Sequence, residues 1–291
     1  MILLCEKLAR RTCFTSHGLT ILSSSGPAGP TFPIMGLSPF EIFSKIWDED
    51  IMNLIVVETN KHAAVLLSQR SLPAKSRVRR WVPITPQDLW SFFGILMLQS
   101  IVPIPVEEEY WSPCLPYLKV ANFPGIMPFH RFRLIKRCLH FVDNASCARG
   151  IPSKLVKIQP VIDHLNSKFS SLYLPGQEIA IDESLMLWKG RLSFAQVIAT
   201  KAAQVGVKSY ELCESKTGYL WQMIIYTGKK ARNEADNVEL AIDTDMAEPD
   251  SMTSKTVMQL VRPLLNRGHT LVMDNFYSRN MNFNSRNMKF L

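Results

Sequence analysis

The 291-residue sequence lacks any apolar run of the 18 or more residues that a membrane-spanning helix needs; its longest stretches, such as Phe92 to Leu98, fall far short. Met1 to Cys5 is too short for the core of a signal peptide. There is also no CxxC pair. Cys5, Cys13, Cys114, Cys138, Cys147 and Cys213 stand far apart with no histidine at ligand spacing, which argues against a zinc site and a disulfide framework and fits a reducing compartment. With 47% hydrophobic and 20% charged residues, the composition excludes intrinsic disorder and collagen-like architectures. What remains is a chain long enough for about two domains. It carries 33 Lys+Arg against 25 Asp+Glu, a net charge of +8. Residues 1–170 hold 19 of these cations and 12 of the acids, so the basic surface belongs to the first part and favours anionic partners such as nucleic acid or lipid headgroups.

Residues 1–36 contain Ser, Gly and Pro clusters without periodicity and read as a flexible leader. Ser38-Pro39-Phe40-Glu41 then has a capping Ser, a first-turn Pro and a Glu three residues after the cap, a helix start. Thr85-Pro86-Gln87-Asp88 is a second start, and the helix behind it is apolar on nearly every face, which predicts the buried centre of a helical domain. Phe129 to Phe141 interleaves Arg131, Arg133, Lys136 and Arg137 with apolar residues. One face can pack while the other is either solvated or laid against phosphates. Lys75, Arg77, Arg79 and Arg80 form a short basic run that would serve nuclear import. Leu155 to Phe169 repeats at helical spacing, and Pro160 inside it predicts a kink. His130, His140 and His164 read as packing or surface residues.

Beyond Gly176 the period changes. Glu178 to Asp182 alternates, Val205 to Cys213 and Tyr219 to Thr227 read as a hairpin, and an acidic stretch from Glu234 to Asp250 follows. A helix bearing Val257, Leu260 and Leu264 is stopped by Gly268 before a strand, Thr270 to Asp274, so the order is β-β-β-α-β. Asp182 and Asp274 fall at the ends of these predicted strands, where open α/β sheets place ligand sites. Two such carboxylates can share Mg²⁺ or Mn²⁺, although from spacing alone the signal is weak because strand-end aspartates are common in turns.

The stretches Ile181-Asp182-Glu183-Ser184, Lys189-Gly190-Arg191, Gly206-Val207-Lys208, Cys213 to Tyr219, Tyr226-Thr227-Gly228 and Met273-Asp274-Asn275-Phe276-Tyr277-Ser278 closely resemble the piggyBac transposase family. The likeness extends upstream through Glu58-Thr59-Asn60, Tyr110-Trp111-Ser112, Leu139-His140-Phe141 and Asp163-His164-Leu165-Asn166, covering roughly residues 37–278. It implies an α/β fold: an incomplete RNase H-like catalytic core (β-β-β-α-β), residues 175–278, preceded by a helical DNA-binding and dimerisation domain, residues 37–174, and followed by a divergent tail, 279–291. In such transposases three aspartates hold divalent metals for nicking and strand transfer. Asp182 matches the first and Asp274 the second; no acidic residue follows Asp274, and the family's cysteine-rich module has no counterpart. Where the family often has Arg, Tyr, Pro and Asn, this chain has Ala195, Val197, Ala199 and Thr200, while Lys201 and Lys208 remain as phosphate-facing cations.

The resemblance therefore leads us to expect a domesticated, C-terminally truncated, non-catalytic nuclear DNA-binding protein, found also in the cytoplasm. Its DNA contacts would come from Arg131, Arg133, Lys136, Arg137, Lys201 and Lys208. Asp182 and Asp274 would be vestigial metal ligands, taking Mg²⁺ or Mn²⁺ only if activity persists. DNA and a second copy of the chain are the expected partners, with no membrane and no small-molecule substrate. Two other readings stand beside this one: a metal-dependent transposase or nuclease that borrows a third ligand, from the acidic stretch or in trans, and a truncated remnant without a biochemical role.

Overall fold

The computed structural model describes residues 27–112, 122–147, 154–198, 204–228, 252–274 and 289–290. The chain divides into two compact units, residues 47–162 and residues 1–46 with 163–291. Among the described residues no helix is long and apolar enough to cross a membrane.

The first unit is helical. Helix α1 (Pro39–Ile46), which belongs to the second unit, begins as its Ser38–Glu41 spacing predicts: the Glu41 carboxylate accepts from the Ser38 amide and hydroxyl, both at 2.7 Å. Asp48 then caps α2 (Glu49–Ser68), its side chain accepting from the amides of Asp50 and Ile51. Thr85 opens α3 (Pro86–Ile101) with a full capping box to Asp88. Short helix α4 (Phe123–Ile126), basic helix α5 (Phe129–Cys138) and the single turn α6 (Asn144–Cys147) follow.

Ile51, Met52, Ile55, Leu89, Phe92, Ile95, Phe132 and Ile135 interlock as this unit's core. The three helices α2, α3 and α5 supply it because each turns an i, i+3, i+4 apolar face inward. Trp111 is the aromatic hub, its ring centroid 5.5 Å from Phe123 and 5.0 Å from both Phe129 and Phe132. Its indole N–H donates to the Met127 carbonyl at 2.7 Å, so burial leaves no orphan donor. Two residues of the Glu58-Thr59-Asn60 motif are tethers. Asn60 exchanges hydrogen bonds with both backbone groups of Ile84, and the Thr59 hydroxyl does the same with His140. His140 also stacks on His62, ring centroids 3.6 Å apart.

The second unit is built on a mixed sheet. Strands β3 (Glu178–Leu187), β5 (Val205–Glu214) and β6 (Leu220–Ile225) are antiparallel neighbours, β7 (Thr270–Met273) runs parallel to β3, and β8 (Lys289–Phe290) runs parallel to β7. The spatial order is β6-β5-β3-β7-β8, with β4 (Gln196–Val197) beside the opening residues of β5. Side chains alternate across a strand. Ile179 and Ile181 of β3, Tyr210 and Leu212 of β5, and Leu271 of β7 pack with Val257, Leu260 and Val261 of helix α8 (Met252–Val261). The intervening residues, Ala180, Asp182 and Ser184 among them, occupy the opposite face.

Several expectations are corrected here. The segment 1–36 is not leader throughout: β1 (Gly29–Pro30) pairs with β2 (Tyr173–Leu174), and the Thr31 amide donates to Leu172. The expected boundary after residue 174 lies inside the sheet unit for the same reason, since residues 163–174 are fastened to it. Helix α7 (Gln159–Leu172) carries Asn166, whose amide group pairs with both backbone groups of Met223, and Phe169, whose carbonyl accepts from Tyr219. Pro160 produces no mid-helix kink, because it stands in the first turn of α7, where its missing N–H has no intrahelical partner to lose. The tail is not wholly foreign to the sheet either: Lys289 and Phe290 pair with Thr270 and Leu271 at the β7 edge.

His269 leads into β7 and is 7% exposed, its Nδ1–H donating to the Gly176 carbonyl at 2.8 Å. Burial pushes its pKa below the ordinary histidine value; the Gly176 bond opposes this and Arg267 adds to it. The folded state therefore holds a neutral ring that the unfolded chain protonates. Stability of the sheet unit is expected to be full above about pH 6.5 and to fall as the pH drops below it. Urea midpoints at neutral and mildly acidic pH should differ less in His269→Gln than in the parent; equal differences would refute the assignment.

Candidate functional site

The register of the sheet brings the two family-matched aspartates together. In the parallel pair, Ile181 stands opposite Met273, the last matched rung. Asp182 and Asp274 are the next residues along their strands, so they lie on neighbouring strands about 4.8 Å apart and on the face away from α8. Asp274 immediately follows β7, as the sequence predicts, and is exposed. Asp182 is not at a strand end, because β3 continues five residues further to Leu187, held by pairing with β5. One Asp182 carboxylate oxygen accepts from the Glu183 amide at 2.8 Å.

Across the antiparallel pair, Asp182 faces Glu211, a carboxylate that the sequence reading missed. The hairpin alternation is the signal that places it, since residues 209, 211 and 213 share one face. Glu211 is turned along the strand instead of toward the aspartates. Its Oε1 accepts from the hydroxyls of Ser184 at 2.5 Å and Ser209 at 2.7 Å, one rung further on. Among the described residues no three His, Cys, Asp or Glu side chains come together as a metal-binding group. A hard Mg²⁺ or Mn²⁺ ion takes about six oxygens, and the Asp182–Asp274 pair alone does not complete such a set. The acidic residues between Glu234 and Asp250, named in the alternative reading as one source of a borrowed ligand, lie outside the described residues.

The cations of α5 divide into two groups. Phe132, Leu134, Ile135 and Cys138 are buried, while Arg133, Lys136 and Arg137 are exposed. Their i, i+3, i+4 spacing places these three on one stripe. Arg133 lies over the Phe129 ring at 5.7 Å, and Lys136 pairs with Glu107 while lying over Phe132. Arg131 is directed inward. Its guanidinium donates to the carbonyls of Val82 and Pro83, pairs with Asp88 at 3.4 Å and lies over Trp81 at 5.4 Å. Burial is the largest single influence on Asp88 and opposes its ionisation. The Thr85 hydrogen bonds and the Arg131 charge outweigh it and hold the carboxyl below its usual value.

Lys208 stands on the α8 side of β5, its Nζ 4.8 Å from the Tyr210 ring centroid. It is therefore on the face opposite the aspartates. Lys201 lies outside the described residues. In the basic run, Arg79 donates to the carbonyls of Leu72 and Pro73, and Val78 is fully buried, so residues 77–80 form an anchored turn of 3-10 helix.

The family model described as Transposase IS4 matches residues 38–284, and the chain belongs to that family. Within it the likeness is to piggyBac proteins. The human "PiggyBac transposable element-derived protein 2" is 28% identical over 188 residues, 64% of this chain and 29% of that protein. A solved structure titled "Cryo-EM structure of piggyBac transposase synaptic complex with hairpin DNA (SNHP)" matches 91% of this chain and 52% of its own, with a TM-score of 0.67 at 19% identity. The chain thus spans less than a third of the human relative and about half of the transposase chain.

Proposed function

We propose that this protein is a domesticated, transposase-derived DNA-binding protein of the nucleus that does not itself cut DNA. The observation that carries this reading is the stripe of Arg133, Lys136 and Arg137 on a helix whose opposite face is locked into a hydrophobic core. A rigid row of cations can follow a phosphate backbone, releasing counterions as it binds. The solved relative's title names a transposase in complex with DNA, which supports the same partner. We assign the phosphate contacts to Arg133 and Arg137, with Lys136 joining them when it leaves Glu107. Arg131 instead holds the start of α3 in place.

The strand order β6-β5-β3-β7-β8, with three antiparallel strands and two parallel ones, supports an RNase H-like core. A non-catalytic role is supported by the diversion of Glu211 onto two serines, which leaves Asp182 and Asp274 as a pair among the described carboxylates. Duplex binding measured against salt is the test. Arg133→Gln/Arg137→Gln should flatten the slope of log K against log salt by about 2. Arg131→Gln should lower thermal stability and leave that slope unchanged. An unchanged slope in the double variant would refute the assignment.

A further inference from the structure

The sheet face that carries Asp182 continues along β3 to a feature that duplex contact by α5 does not use. Beyond Ser184 the alternation places Met186 on this face, and Trp188 follows in the same sequence of sides, its amide donating to the Val205 carbonyl. Met186 is 60% exposed, Trp188 43%, and Val197 and Val205 on the adjoining strands 76% and 40%. An exposed tryptophan amid exposed apolar neighbours leaves ring surface open to solvent.

The loop shapes that surface. A Cβ at Gly190 would come within 2.8 Å of the Trp188 indole Nε1 and 3.0 Å of its Cε2, so the ring lies close against the Gly190 backbone. Lys189 and Arg191, both exposed, flank it. Between Glu183 and Glu211 the sequence contains no acidic residue, and the cations that adjoin Trp188 are Lys189 and Arg191. An apolar protein partner would not require this one-sided charge; a polyanion with flat apolar rings would.

We propose that Trp188 is a stacking platform for a base of unpaired DNA, with Lys189 and Arg191 holding the adjoining phosphates. Base stacking on an exposed aromatic ring needs a π-face and nearby cations, and it takes any base. Within a duplex the base faces are already stacked, so the platform distinguishes unpaired from paired strands. At about 3.3 Å per residue, the ring lies about 20 Å along the strand from Asp182, a span of several nucleotides. The proposal rests on the reading of the chain as a DNA-binding protein and specifies a second site on it.

The test is equilibrium binding of the full chain to a labelled thymidine oligonucleotide of about 20 residues and to a duplex of the same length. Trp188→Ala should weaken oligonucleotide binding by about tenfold or more and leave duplex binding within about twofold. Trp188→Phe should recover most of the loss, while the unchanged duplex binding separates stacking from a general packing defect. Unchanged oligonucleotide affinity in Trp188→Ala, or an equal loss on both ligands, would overturn the platform while leaving the α5 reading in place. Absence of binding to either ligand by the parent would overturn both.

Discussion

Phe132→Ala is expected to destabilise the helical unit by about 3–5 kcal/mol, the usual cost of emptying a fully enclosed phenylalanine site. Phe132 is completely buried, and its ring lies 5.1 Å from Phe92 and 5.0 Å from Trp111. It is thus the point where α3, α5 and the Glu107–Trp111 turn meet. Collapse into the cavity would need helices to move together that are also fixed by Asn60, Thr59 and the Arg131–Asp88 pair. Relief by relaxation should therefore be small. Denaturant unfolding followed by near-ultraviolet dichroism would measure the loss, and a change below about 1 kcal/mol would show that the core is not organised around this ring. Because α5 presents the cation stripe, the same variant should lose duplex binding in proportion to the unfolded fraction.

The second large effect is expected at Gly206, where β5 meets the end of β3. A Cβ there would stand 2.0 Å from the Met186 carbonyl oxygen, a backbone atom that no side-chain rotation can remove. Gly206 is paired with Leu187 on one side and Gln196 on the other, so the strand cannot shift without breaking both contacts. Gly206→Ala should cost about 2–3 kcal/mol as an overpacked site. It should also raise hydrogen exchange at the Trp188 amide, which bonds Val205. Exchange there as slow as in the parent would contradict the register.

Local chemistry was legible in the sequence wherever its partner lay within one turn. The Ser38–Glu41 and Thr85–Asp88 boxes, the β5–β6 hairpin and the placement of Asp274 after a strand all follow from such short-range pairs. Long-range partners were not legible. The four cations of α5 look alike in sequence, and only the packing of Val82, Pro83 and Asp88 against it separates Arg131 from the other three. The alternation from Glu178 to Asp182 places Asp182 at a strand end; pairing of Glu183 to Leu187 with β5 extends the strand beyond it. β8 is two residues whose parallel pairing is set by β7, and no local pattern announces it.

The motifs that carried the family resemblance divide in an informative way. Thr59, Asn60 and Asn166 hold backbone groups far along the chain, and His164 bonds the Ile46 carbonyl. These side chains maintain the fold whether or not DNA is cut. Asp182 and Asp274 follow matched rungs of adjacent strands, and Glu211, which faces Asp182 from β5, is bound to Ser184 and Ser209.

The most direct test of this account is to titrate the purified chain with duplex DNA in the presence of Mn²⁺ and to examine the same samples for nicks. The account predicts salt-dependent binding with the DNA left intact. Nicking by the parent protein that disappears in Asp182→Asn would contradict it and make the Asp182–Asp274 pair part of a working catalytic site.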